Sequence, residues 1–180
     1  MEDGYLAKRM TEEILPNLYR IEVPLPGSPL VALNSYVIKT EGRTLIVDTG
    51  WNREECMEAI SSGLKELDVN LKEADFFITH LHADHFGLVS NLATDTSVIY
   101  FSRMSEATIS LLGRWEEREA DFAWIHGFPE EQLKTAIQDH PGHKYISKGF
   151  LGNFHALREG DTLSVGNYLF KCIETPGHTR

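Results

Sequence analysis

Apolar and polar positions alternate along Leu18-Tyr19-Arg20-Ile21-Glu22-Val23, the two-residue period of a strand with one buried face. Pro24, Pro26, Gly27 and Pro29 end it and leave a stiff loop. Residues 31–39 and 44–47 predict a second and third strand, closed into a hairpin by Glu41-Gly42-Arg43. Asn34 and Tyr36 share a face of that hairpin, and Asn34 reads as a structural position. The period then changes. Met57, Ile60, Leu64 and Leu67 recur at helical spacing among charged residues, which predicts a helix from an Asn52 cap to about Leu67 whose stripe packs the core. Residues 74–79 are an apolar run of strand length, 87–92 begin a short helix, and 97–101 make one more short strand.

Residues 102–140 differ in kind. Helical patterns around 104–112, 116–125 and 129–137, the last opening at Pro129, exceed what a connection between strands requires and predict a helical insertion. Trp115, Phe122, Trp124 and Phe128 make it aromatic, and Glu116-Glu117-Arg118-Glu119 give it a charged face. Three roles fit: aromatics packing the helices together, a lid over a neighbouring site, or a homodimer contact. His126, His140, His143 and His155 read as surface or loop residues, one of which could reach a site as an acid or a substrate contact. Residues 142–152 are loop-like, and 157–165 with 168–174 form a hairpin around Gly166-Asn167.

Candidate chemistry concentrates in Thr79-His80-Leu81-His82-Ala83-Asp84-His85-Phe86-Gly87, where a buried strand runs out into a loop. Three imidazoles and a carboxylate so close together make a metal site. In an extended segment alternate side chains point the same way, so His80 and His82 can close on one ion while Asp84 and His85 are aimed elsewhere, and one loop can serve two ions. Imidazole with a single carboxylate suits zinc best, and iron, manganese or cobalt next. Asp48, at the end of the third strand, is a carboxylate that needs partners. Capping the next helix and accepting local backbone hydrogen bonds are two ways to find them.

His80-x-His82-x-Asp84-His85 resembles the signature of the metallo-β-lactamase fold superfamily. Two further stretches agree in order and spacing. Leu45-Ile46-Val47-Asp48-Thr49-Gly50 is similar to the family's strand ending in Asp-x-Gly, and Thr175-Pro176-Gly177-His178-Thr179 to the segment carrying the next ligand. The resemblance runs from about Leu18 to the last residue. It implies an α/β (α+β) fold: the first half of an αββα sandwich, a mixed sheet with outer helices, and residues 102–140 inserted within a domain spanning 1–180. It also implies a first metal on His80, His82 and His178, and a second on Asp84 and His85 with two further ligands that the family takes from later in its fold. Asp84 would be the catalytic residue that helps hold the nucleophile. Asp48 would lie beside the metals and orient ligand imidazoles or loop amides. Because the sequence stops two residues after His178, the chain is expected to be a piece of a longer protein, with a half-domain completed by another chain as the competing reading.

The implied reaction is metal-dependent hydrolysis, a zinc-bound hydroxide cleaving an ester, thioester, lactone or amide of a small molecule. Zinc is expected at two ions per complete domain, with iron or manganese as substitutes. Mononuclear iron sulfur dioxygenases keep a similar motif and stay open as an alternative, as does a non-catalytic metal-binding fragment. Diiron redox proteins of the fold typically carry Glu where this chain has His82.

Composition narrows the partners. At 180 residues, 42% hydrophobic and 24% charged, the chain has the make-up of an ordinary globular domain. Its net charge of −10 opposes nucleic acid and anionic membrane as partners. Cys56 and Cys172 suggest neither a disulfide framework nor a thiolate metal site. Residues 1–15 lack the apolar core of a secretion signal, and no apolar run approaches the roughly 20 residues of a membrane span, so a cytoplasmic protein is expected.

Overall fold

The computed structural model describes residues 10–102, 125, 127, 129–145 and 153–178. Seven strands form one sheet in chain order: β1 (Thr11–Leu15), β2 (Leu18–Pro24), β3 (Ala32–Ile38), β4 (Thr44–Val47), β5 (Ala74–Ile78), β6 (Val98–Ser102) and β7 (Asn153–Leu157). The first four pair antiparallel through short turns. From β4 onward every pairing is parallel and needs a crossover. The crossovers carry α1 (Glu54–Glu66) between β4 and β5, α2 (Ala83–Phe86) and α3 (Val89–Leu92) between β5 and β6, and α4 (Glu130–Asp139) and α5 (Pro141–Lys144) between β6 and β7. A separate antiparallel hairpin, β8 (Thr162–Val165) and β9 (Tyr168–Lys171), follows.

Strand alternation decides the two faces. Ile21, Val23, Val37, Ile46, Phe76, Ile78, Ile99 and Phe101 point to one side and are buried there with Cys56, Ile60 and Leu64 of α1 and with Phe86, Leu88 and Val89. Gly63 lets α1 lie close to β2, since a Cβ there would come within 2.7 Å of Ile21 Cδ1. On the opposite face Ile38 and Leu45 meet Val165, with Leu163 and Tyr168 packed alongside, so the β8–β9 hairpin covers that side as a second layer. At the starts of the parallel strands Arg43 forks onto Asp75, Nε to Oδ2 and Nη2 to Oδ1 both at 2.7 Å. Asp75 Oδ1 also accepts the Val98 N–H at 2.8 Å, which ties β4, β5 and β6 together at the end away from the histidines. Among the described residues no helix is long and apolar enough to cross a membrane.

Several local expectations are corrected. β1 escapes the periodicity, because an edge strand that buries almost nothing shows no apolar period. Its turn into β2 uses Asn17 at φ 62°, a left-handed position that Asn tolerates. β7 covers residues 153–156, for which no element is expected, and Leu157, expected as the start of the hairpin, and the hairpin is shorter than expected. Asn52 does not cap α1. The helix begins at Glu54 after Arg53 with no side-chain cap, and Glu54 and Glu55 answer the helix dipole instead. The short helix expected over 87–92 is present as α3, Val89–Leu92, with an unexpected further turn, α2, ahead of it at Ala83–Phe86, and α5 occupies part of the stretch read as loop. The helical patterns at 104–112 and 116–124, the aromatics Trp115, Phe122, Trp124 and Phe128, and His126 lie outside the described residues.

Candidate metal centre

Because β4 and β5 run parallel, the residues that follow them, Asp48-Thr49-Gly50 and Thr79-His80-Leu81-His82, emerge side by side at one edge of the sheet. The chain stays extended through His82 (φ −72°, ψ 147°) and then turns into α2, which holds Asp84 and His85 in one helical turn. The helix, not extended alternation, sets the direction of this pair, and it leaves His85 beside His80. His178 arrives from the segment after β9.

One ligand-capable atom each from His80, His82 and His178 lie within 4.8 Å of one another. The ring centroids are 4.6 Å apart for His80 and His82, 5.0 Å for His80 and His178, and 4.6 Å for His82 and His178. His80 is half-buried, the other two exposed. Burial, with the charges of His85 and His82, pushes the His80 pKa down to about 4, and burial together with His178 lowers that of His82. Both rings are therefore neutral near pH 7, with lone pairs to offer.

Asp48 organises these rings. It is 4% exposed and sits at φ 57°, a left-handed conformation uncommon outside Gly and Asn. Its N–H donates to the Phe77 carbonyl at 3.0 Å, and its carbonyl accepts from Ser35 Oγ at 2.8 Å. Oδ1 accepts the Thr79 N–H at 2.9 Å, while Oδ2 accepts from Thr79 Oγ1 at 2.8 Å and from His85 Nδ1 at 2.7 Å. With its proton committed to Asp48, the Thr79 hydroxyl can only accept from His80 Nδ1, 3.1 Å away. That leaves His80 Nε2 unprotonated, and this atom is buried with no hydrogen-bond partner among the described residues. One carboxylate thus sets the tautomers of two histidines, one directly and one through Thr79.

His85 lies 4.1 Å from His80 between ring centroids, and its Nε2 is 3.5 Å from Asp84 Oδ2. Burial opposes a charge on this ring, but the hydrogen bond to Asp48 and the charges of Asp48 and Asp84 outweigh it and raise its pKa. Thr49 fixes the backbone of His85 from below: its N–H and Oγ1 both donate to the His85 carbonyl, at 2.8 and 3.0 Å. Gly87 has no room for a side chain, since a Cβ would run into the carbonyl oxygens of Tyr145, Ala83 and Gly50.

The residues singled out by motif therefore fall into one place, His80, His82 and His178 as a cluster with Asp84, His85 and Asp48 beside it. Ser35, Thr49, Thr79 and Gly87 escape a reading of the sequence alone. Thr79 has a signal there, because a buried carboxylate demands donors and a hydroxyl stands next to the first histidine. His155 lies apart on β7, edge-on to Tyr100 at 5.5 Å.

Residues 29–179 match the model of the metallo-beta-lactamase superfamily, and the chain belongs to that superfamily. A metallo-beta-lactamase family protein from Thermus thermophilus superposes with a TM-score of 0.71 at 24% identity, over 93% of this chain and 54% of that one. The metallo-beta-lactamase GOB-18 from Elizabethkingia meningoseptica gives 0.61 at 19% identity, over 99% and 57%. Among curated proteins, an atrochrysone carboxyl ACP thioesterase from Cryptosporiopsis sp. is 35% identical over 82 residues, 45% of this chain and 25% of that protein. A hydroxyacylglutathione hydrolase from Xylella fastidiosa is 28% identical over 156 residues, 84% of this chain and 42% of that protein. The chain spans less than two thirds of the length of each.

Proposed function

We propose that this protein is a metal-dependent hydrolase of small-molecule acyl thioesters, within a wider range of ester, lactone and amide bonds. The observation that carries the reading is the buried, unpartnered Nε2 of His80 inside a cluster of three imidazoles. A buried polar atom left unmatched costs about 1–3 kcal/mol, and a cation accepting its lone pair removes that cost. The donor set fits zinc: three imidazoles, two of them open to solvent. When bound there, zinc supplies a water whose pKa falls to about 7 and a Lewis acid for a carbonyl oxygen.

In this reading His80, His82 and His178 hold the first ion, and Asp84 with the Nε2 of His85 holds a second. Asp84 also accepts a hydrogen bond from the attacking water and orients its oxygen toward the acyl carbon. That oxygen adds to the acyl carbon, the C–S bond breaks, and a carboxylic acid and a thiol leave. The choice of thioester rests on the names of the ACP thioesterase and the hydroxyacylglutathione hydrolase to which the chain is similar. The test is metal analysis of the full-length protein, its mass verified, together with thiol release from an S-acyl glutathione and an S-acyl pantetheine. Zinc with turnover that His82→Ala abolishes is the expected result. Full turnover in that variant would sink the reading, and iron with oxygen consumption in place of hydrolysis would favour a dioxygenase.

A further inference from the structure

We propose that Trp51 and Tyr145 are positioning residues: their stacked rings fasten the crossover between β6 and β7 to both metal loops and so hold in place the helical turn that carries Asp84 and His85. What this hold does for a metal ion rests on the hydrolase reading above.

The turn needs such a hold. α2 is four residues long and begins after His82 with no side-chain cap, and a single helical turn has little stability of its own. Thr49 grips the His85 carbonyl on one side. The other hold is at Gly87, where the carbonyl oxygens of Tyr145 and Gly50 would stand only 2.4 and 2.7 Å from an added Cβ. The Gly50 carbonyl accepts the Leu88 N–H at 3.1 Å, and the Tyr145 carbonyl accepts the Asn52 N–H at 2.8 Å. The Tyr145 oxygen is therefore a wedge, bonded to the loop that follows β4 and lying against the loop that follows β5.

A wedge works only if its own residue is anchored. Behind it, the Tyr145 N–H donates to the Pro141 carbonyl at 2.9 Å, which joins the residue to α5. In front, its ring lies on that of Trp51, with centroids 4.6 Å apart and planes at 25°. The Arg53 guanidinium and the Lys144 ammonium stand 5.9 and 5.7 Å from the centre of the Tyr145 ring, and Arg53 Nη1 also donates to the Pro26 carbonyl at 3.3 Å. Trp51 belongs to the loop that opens with Asp48, so the stack closes a circuit from one metal loop through α5 to the other.

A contribution to general stability is the competing role, and three substitutions separate the two. Trp51→Ala removes the platform, Trp51→Phe keeps a ring on which Tyr145 can stack, and Asp75→Ala weakens the far end of the sheet as a control. In the full-length, metal-free protein, amide exchange is followed residue by residue at Asn52, Gly87 and Leu88, and zinc alone is then titrated in competition with a chelator. Trp51→Ala is expected to speed exchange at these amides and to weaken zinc binding, each by about tenfold, with most of both restored in Trp51→Phe. Unchanged exchange or zinc affinity in Trp51→Ala, equal changes in Asp75→Ala, or an equal loss in Trp51→Phe would each overturn the assignment. If the wild type takes up no zinc, the hydrolase reading fails, and the exchange rates alone still decide whether the stack holds the turn.

Discussion

Replacing Asp48 by Asn is the most informative single change to this molecule. The carboxylate is buried and accepts from Thr79 N, Thr79 Oγ1 and His85 Nδ1. Asn has the same shape. Its Oδ1 can keep the Thr79 N–H, but its NH2 replaces the Oδ2 acceptor and must itself donate. Thr79 Oγ1 and His85 Nδ1 then have to act as acceptors, so the His85 proton moves to Nε2, the atom proposed to bind the second metal. Three hydrogen bonds to a carboxylate, each worth about 1.5–3 kcal/mol, become neutral ones worth about 1, offset in part by removal of a buried charge, so folding should weaken by about 1–3 kcal/mol. Metal affinity should fall as well, since changing the group that orients a ligand imidazole commonly costs 10–100-fold. Asp48→Ala is the harsher change. It leaves three donors stranded and should cost about 3–5 kcal/mol. Urea unfolding of the metal-free protein measures the first quantity and competition with a fluorescent chelator the second. If Asp48→Asn holds both metals as tightly as the wild type, the tautomer argument is wrong.

Other consequences are as specific. Gly87→Ala should cost about 3 kcal/mol or more in denaturant unfolding, because the added methyl meets three backbone carbonyls that cannot swing aside. Gly63→Ala brings its methyl within 2.7–2.9 Å of Cδ1, Cγ1 and Cγ2 of the buried Ile21, so overpacking of about 1–3 kcal/mol should outweigh the roughly 1 kcal/mol gained in helix propensity and lower its midpoint. Asp75→Ala strips partners from Arg43 and Val98 and should lower stability by about 1–3 kcal/mol, at the low end because Arg43 is 41% exposed, while leaving metal affinity unchanged. In the metal-free protein the His80 pKa, about 4 when folded against 6.5 unfolded, makes the unfolded chain take up more protons between those values. Stability should therefore fall as pH drops from 6.5 toward 4, and His80→Gln should flatten that slope. His85 acts in the opposite sense, its stabilisation present below pH 6.5 and lost as pH rises through its elevated value.

Which features are legible in the sequence follows from what each part of the fold depends on. α1 and strands β2 to β6 announce themselves because each buries a face, so periodicity carries the signal. β1 and β7 are the outer strands of the described sheet: β1 is exposed along most of its length, and β7 alternates polar with apolar over only five residues. The histidines can be read from spacing alone, since the metal-ligating motif is local. What fixes their protons cannot be. Asp48, Thr79 and Ser35 come from three different strands or strand ends, and only the sheet register brings them together. Tyr145 lies against Gly87 from 58 positions further on in the numbering, with nothing in either sequence neighbourhood to betray it.

The order of the seven strands, each beside the one made before it, has a consequence for synthesis. A sheet that grows by adding strands in the order of translation can be laid down as the chain leaves the ribosome, with no early strand waiting for a late one. Asp48, His80, His82, Asp84 and His85 are all in place once β6 has paired. His178 follows about 75 residues later, after β7 and the second-layer hairpin. For that interval the nascent chain offers two imidazoles where the finished cluster has three. In the reading proposed above, tight capture of the first ion would wait for this third imidazole, and the ion would be a late clasp on a scaffold already assembled.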